Sequence, residues 1–209
     1  MENNTVAPEY FSLNMGECNN TDIRGNTFFD SYGIYVDYSV SAWGPFIDDS
    51  INITIERNKF DLNDIGLDIE TSERVDILNN TFSHITDPLI LDYCSNTSVI
   101  DNDIDGTYFV GITYRYCLYG QILNNKVSTS GKEGILMERS NQTIVMYNTI
   151  RSSGVCIKQI DCSDNTVSNN YCILLFSSEN NFYQVIFLIG ISTIFLLILF
   201  SIINDKIRS

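Results

Sequence analysis

The chain is poor in positive charge. Its 209 residues hold twelve Lys and Arg against twenty-six Asp and Glu, for a net charge of −14 and a pI near 4.2. Phosphate binding needs clustered basic side chains, so nucleic acid is excluded as a partner. A solvated acidic surface accounts for the balance. Histidine is as scarce: His84 stands alone and no C-x-x-C occurs, which removes the usual zinc spacings. The opening stretch, MENNTVAPEYFSLNMGEC, carries neither a basic n-region nor an apolar h-region, so no secretory signal is readable in it.

What is present is a repeat. Asn-rich turns interrupt apolar runs at a fixed spacing: Asn26, Asn58, Asn80, Asn102, Asn125, Asn148 and Asn170 are separated by 32, 22, 22, 23, 23 and 22 residues. The long first step contains ten extra residues, VSAWGPFIDD, which reads as a loop inserted into one unit. Three residues before each Asn stand Ile23, Ile55, Ile77, Val99, Ile122, Val145 and Val167, all β-branched. Two residues after it stand Phe28, Phe60, Phe82, Ile104, Val127, Ile150 and Cys172. Eight residues before it, Cys18, Ser50, Ser72, Cys94, Cys117, Ser140 and Cys162 are all small.

A unit of about 22 residues with short β-type runs is one coil of a solenoid, because a single coil cannot bury its own apolar face. Coils stacked at about 4.8 Å place like residues in columns, with the β-branched column inward. The Asn column then has two uses: Asn at a tight turn tolerates the left-handed conformation, and stacked Asn amides hydrogen-bond from coil to coil. A second turn is read at Gly66, Pro88, Gly111 and Gly134, each followed by an aliphatic residue, with Gly33-Ile34 of the same form.

This pattern, closing on NNYCILLFSSENNF, resembles the right-handed parallel β-helix repeat of the pectin-lyase-like superfamily, particularly NosD-like and archaeal or bacterial surface-protein repeats. The resemblance covers about residues 18–181. It implies an all-β fold, a right-handed parallel β-helix of about seven coils, after an N-terminal segment (1–17).

The C-terminus supplies a further element. Residues 185–203, VIFLIGISTIFLLILFSII, contain no charge and are long enough to cross a bilayer core of about 30 Å. Phe182 and Tyr183 precede them, and Lys206 and Arg208 follow in the basic tail 204–209. The expectation is one C-terminal transmembrane helix over 182–203, with the β-helix outside the cell and the tail in the cytoplasm. The unreadable leader conflicts with that topology. Either an N-terminal part is missing, to which the lack of a visible cap on the first coil also points, or the protein is tail-anchored with the β-helix inside the cell.

Four of the six cysteines, Cys18, Cys94, Cys117 and Cys162, share the small column with Ser and read as buried free thiols. His84, four residues past an Asn, reads as an exposed turn residue. Six N-x-S/T sequons, at Asn3, Asn19, Asn52, Asn79, Asn96 and Asn141, permit glycosylation and arise readily in a chain this rich in Asn, Ser and Thr.

The column two residues before the small one holds Glu70, Asp92, Arg115, Glu138 and Ile160. Alternation turns it outward, with Asp68 nearby. Resemblance to polysaccharide lyases and hydrolases makes Glu70, Asp92, Arg115 and Glu138 the catalytic candidates. In such enzymes calcium held between carboxylates acidifies a sugar α-proton and an Arg or Lys accepts it; Asp68, Glu70 and Asp92 would be the calcium ligands. No conventional lyase, polygalacturonase or C5-epimerase motif surrounds them. The favoured function is therefore a membrane-anchored β-helix for surface display or polysaccharide contact without catalysis and with no cofactor. A uronate lyase, hydrolase or epimerase and a NosD-like accessory protein of copper-site maturation are the alternatives.

Overall fold

The computed structural model describes residues 2–6, 13–29, 34–36, 50–62, 65–129 and 131–175. The stretch expected to span a membrane, 185–203, lies outside them. Among the described residues no helix is long and apolar enough to cross a membrane.

The chain winds into a right-handed-type parallel solenoid with three sheets, seven, eight and seven strands deep, about six full turns from the first strand of a sheet to the last. One coil shows the plan. Glu73–Leu78 belongs to sheet 1, Thr81–Ser83 to sheet 2 and Asp87–Asp92 to sheet 3. The next coil repeats it with Ser98–Ile100, Asp103–Thr107 and Ile112–Arg115. Every strand pairs in parallel with its equivalents one coil away, and the columns read from the sequence stand in register: Ile55↔Ile77↔Val99↔Ile122↔Val145↔Val167 in sheet 1 and Phe28↔Phe60↔Phe82↔Ile104↔Val127↔Ile150 in sheet 2.

These inward columns form the core. Ile23, Ile55, Ile77, Val99, Ile122 and Val145 are fully buried, which suits β-branched side chains on a pleated surface. Phe60 stacks on Phe28 and Phe82 with ring centroids 5.3 and 4.6 Å apart. Sheet 3 contributes Ile69, Leu91, Tyr114 and Met137. The Tyr114 hydroxyl is satisfied inside the core by Thr97 Oγ1 at 2.7 Å, and burial pushes its ionisation well above the ordinary range.

The Asn column is a continuous ladder. In each rung the backbone N–H and the Nδ2 of one Asn both donate to Oδ1 of the Asn one coil on, at 2.8–3.0 and 2.9–3.1 Å. From Asn58 onward Nδ2 also donates to the backbone carbonyl of the inward β-branched residue one coil back, at 2.8–2.9 Å. The ladder starts one coil earlier than the sequence reading placed it, at Asn4, and Thr5–Val6 and Leu13–Met15 pair into the stack.

Two turn assignments are corrected. The left-handed residue is the one before each ladder Asn: Gly25, Arg57, Asn79, Asp101, Asn124, Tyr147 and Asn169 have φ of 54–62°. The ladder Asn is kept for its amide. Gly66 and Gly134 lie within strands Ile65–Glu70 and Glu133–Glu138, and Gly111 directly before Ile112–Arg115. None has positive φ. A Cβ there would strike the carbonyl of the next coil and an inward side chain of sheet 2: Phe82 at Gly66, Val127 at Gly111 and Ile150 at Gly134. Space, not turn geometry, selects them.

The small column works like a second ladder. Cys18, Cys94 and Cys117 give their backbone N–H to the γ atoms of Ser50, Cys117 and Ser140 at 3.1, 3.3 and 3.1 Å. Cys94, Cys117 and Ser140 in turn donate through the γ atom to carbonyls of Ile69, Leu91 and Tyr114. A thiol and a hydroxyl each offer one donor and an acceptor, which explains why Ser and Cys interchange. All four cysteines of this column are free. The remaining two are not: Cys156 of sheet 3 and Cys172 of sheet 2 form a disulfide, which the column argument alone did not reveal.

Candidate functional site

Sheet 3 turns its acidic column outward as a straight row: Glu70↔Asp92↔Arg115↔Glu138↔Ile160 are consecutive partners. Beside it runs Asp68↔Ile90↔Thr113↔Leu136↔Lys158. Strand alternation therefore brings all four catalytic candidates onto one face, with Asp68 on the same strand as Glu70.

The electrostatics of the row are dominated by one pair. Arg115 Nε donates to Asp92 Oδ1 at 2.7 Å and Nη2 to Oδ2, a bidentate fork. The Asp92 side chain is only 12% exposed beneath it. The hydrogen bond to Asp92 and the nearby charges of Asp92, Asp68 and Glu138 raise the Arg115 pKa still further. A guanidinium held this way keeps its proton. Burial raises the Asp87 carboxyl, opposed by the charge of Arg115. Lys158 is paired with Glu133 at 2.9 Å.

Aromatic side chains border this face. Each residue of the row is followed by one in the left-handed conformation at the corner leading to sheet 1: Thr71, Tyr93, Tyr116, Arg139 and Asp161. Tyr93 stacks on Tyr116 with centroids 4.6 Å apart, and Arg139 covers the other side of Tyr116 at 5.4 Å while donating to its hydroxyl at 2.7 Å. At the corner entering sheet 3, Tyr108 and Phe109 are 66% and 59% exposed. These rings were not singled out from the sequence. The signal was there, since Tyr93 and Tyr116 each follow a member of the acidic row.

His84 is exposed, with φ 54°. Its Nδ1 lies 3.0 Å from Asp61 Oδ1, which also accepts from Ser83 Oγ at 3.0 Å. Both groups address the carboxylate and neither the other, so no nucleophile–base pair results. Among the described residues no three His, Cys, Asp or Glu side chains converge to hold a metal ion. The calcium ligand set Asp68, Glu70 and Asp92 gains no support, because Arg115 occupies both carboxylate oxygens of Asp92.

Comparison with known proteins yields one family. The model of a family described as periplasmic copper-binding protein (NosD) matches residues 39–185. Among solved structures the chain is similar to PfbA, a surface adhesin of Streptococcus pneumoniae, at 12% identity and a TM-score of 0.47, over 80% of this chain and 60% of that one. It is also similar to QnrB1, a plasmid-mediated fluoroquinolone resistance protein, at 9% identity and a TM-score of 0.23, over 82% and 91% of the two chains. The chain thus spans 60% of the adhesin's length. No curated protein matches it.

Proposed function

Given that this chain belongs to the NosD family, we propose that it works outside the cytoplasm as a non-catalytic β-helix that contacts a glycan along sheet 3, anchored in a membrane by residues 185–203. The family's periplasmic description and the Cys156–Cys172 disulfide, a bond that persists in oxidising compartments, support the location. The observation that carries the glycan reading is the straight row Glu70, Asp92, Arg115 and Glu138 bordered by Tyr93, Tyr116, Tyr108 and Phe109. Carboxylates accept hydrogen bonds from sugar hydroxyls, and aromatic rings pack against the apolar faces of sugars.

The lyase reading, in which Arg115 accepts the sugar proton, is disfavoured by the fork that holds its guanidinium on Asp92. A proton acceptor needs a pKa near the working pH, and Arg115 is pushed the other way by Asp92.

The copper named in the family description does not fit the residues present. The soft donors of the chain are one His, six Cys and four Met, and all but Met1 are described. Cys156 and Cys172 are oxidised to a disulfide; the Cys94 and Cys117 thiols are buried and donate to carbonyls. Met15 and Met137 are in the core, and His84 faces solvent beside Asp61. No set of these offers the convergent ligands copper takes.

The test is a glycan array probed with the full chain in detergent, followed by reducing-end assays on each bound polymer. Binding that falls at least tenfold in Tyr116→Ala, without new reducing ends, is the expected result. Calcium-dependent cleavage of a uronate polymer that vanishes in Arg115→Ala would replace this reading with the lyase one.

A further inference from the structure

The solenoid is chemically unequal along its axis. Residues 1–139 carry twenty-two acidic against eight basic side chains and so account for the whole net charge of −14; residues 140–175 carry two of each and are neutral. Exposed apolar side chains run the opposite way. Of thirteen large ones among the described residues, nine lie between Leu118 and Leu175 and none precedes Leu62.

Several of the nine gather at one corner of the last coils. Ile144 and Met146 face outward from sheet 1, Tyr147 follows them, and Thr149, two residues on, pairs with Tyr171 of the final coil. Tyr147 and Tyr171 are 58% and 64% exposed. Leu174 and Leu175 end the described chain, also exposed. From Ser98 onward the neighbouring outward columns of sheet 1, Ser98↔Gln121↔Ile144↔Thr166 and Ile100↔Leu123↔Met146↔Ser168, contain no charge, whereas further back they hold Asp76 and Glu56. Exposed apolar side chains gathered on neighbouring strands are the mark of an interaction site.

We propose that the end of the solenoid formed by residues 140–175 rests on the lipid headgroup layer, with Ile144, Met146, Tyr147, Tyr171, Leu174 and Leu175 as the contacting side chains. The proposal rests on the anchored reading above. Nine residues separate Leu175 from Val185, a connection of at most about 35 Å when fully extended. Tyrosine favours the membrane–water interface, where its ring is in an apolar setting and its hydroxyl is wet. A neutral end avoids the repulsion that anionic lipids exert on acidic surface. Apart from Glu133 and Glu138, the acidic residues of 1–139 lie at or before Asp105. Its coil is three coils, about 14 Å, from that of Tyr171, and so outside a field that fades within a Debye length of about 8–10 Å. The depth follows from hydrogen bonding. Among the described residues, strands Val155–Ile160, Thr166–Ser168 and Tyr171–Leu174 are paired on one side only. Headgroups and water can satisfy the free edge, whereas hydrocarbon cannot.

The experiment places the full chain in nanodiscs containing brominated lipid, with Trp43→Phe removing the native tryptophan. Tyr147→Trp and Tyr171→Trp, both at exposed positions, report on the contact, and Leu62→Trp, four coils from the first and five from the second, or about 19 and 24 Å, serves as comparator. The expected result is quenching of the first two fluorescences by at least half with the third unchanged, together with slower hydrogen exchange over 155–175 in nanodiscs than in detergent. Resistance to alkaline carbonate with all three fluorescences equally unquenched overturns the seating while leaving the anchor intact. Release by alkaline carbonate overturns the anchor, and the seating with it.

Discussion

Arg115 lies along the carboxylate of Asp92 one coil before it, Nε at 2.7 Å from Oδ1 and Nη2 on Oδ2. The fork crosses a parallel strand pair and leaves Asp92 nearly covered, with 12% of its side chain exposed against 39% for Arg115. Breaking a fully buried pair costs about 3–5 kcal/mol and an exposed one about 0–1. Arg115→Ala is therefore expected to cost about 1–2 kcal/mol, and adding Asp92→Asn is expected to restore part of it. Denaturant midpoints of the three variants test this. A loss in Arg115→Ala below about 0.3 kcal/mol would show that the fork contributes nothing.

The ladder predicts a sharp contrast between neighbouring columns. The Asn80 side chain accepts two hydrogen bonds and donates two, in a residue 1% exposed, whereas Gln121 projects from sheet 1 into solvent. Each buried group left unsatisfied costs about 1–3 kcal/mol. Asn80→Leu should lower stability by more than about 3 kcal/mol and Gln121→Leu by under about 0.5. Equal urea midpoints would sink the register given above.

Acid sensitivity should depend on an exposed histidine. Asp61 is held down to about 2, from 3.8, first by the hydrogen bond from His84 and then by that from Lys59. Because the folded value lies below the unfolded one, the stabilisation is complete above pH 3.8 and is lost as pH falls toward 2. His84→Ala should flatten the fall in melting temperature across that interval. An unchanged profile would mean that Lys59 and Ser83 alone set the Asp61 value.

The six cysteines should divide into three classes. Cys18 and Cys162 are half-buried and should react with Ellman's reagent in the native chain. Cys94 and Cys117, buried, should react only after unfolding, and burial raises the Cys117 thiol pKa besides. Reduction of Cys156–Cys172, which closes a separation of 16 residues, should cost about 3 kcal/mol and speed hydrogen exchange over 155–175 first. Two fast thiols before reduction and three after it is the expected count, since Cys172 is exposed and Cys156 is buried.

Much of this fold was legible because a stacked coil repeats its constraints. Seven occurrences of a β-branched residue three before an Asn cannot be read as anything but a column, and the columns stand in register. The same reading began at Asn26 and passed over Asn4, although NNTV at residues 3–6 has the form of NNTF at 79–82. The left-handed residue was misplaced by one because Asn suits both roles, and only the backbone shows Arg57 and Tyr147 in the strained one. The disulfide escaped because Cys156 and Cys172 lie on different sheets, Cys156 in the column of Gly66, Pro88, Gly111 and Gly134 and Cys172 in that of Phe28 to Ile150. Alternation put the row on the outer face of sheet 3, but it says nothing of how a long side chain folds down on its neighbour. Arg115 covering Asp92 was therefore invisible.

The spacing between the small column and the Asn column is eight residues in all seven coils, from Cys18–Asn26 to Cys162–Asn170. The return arc, from Asn to the next small residue, is 24, 14, 14, 15, 15 and 14 residues long. Sheet 1 is thus clamped at both ends by hydrogen-bonded columns, and every change of length falls in the arc that joins one octet to the next. New recognition loops can be spliced into that arc while the clamped octet holds the winding constant. A protein engineer could use the corner at Tyr108 as a graft point, and a lineage could diversify there by insertion without renegotiating its core.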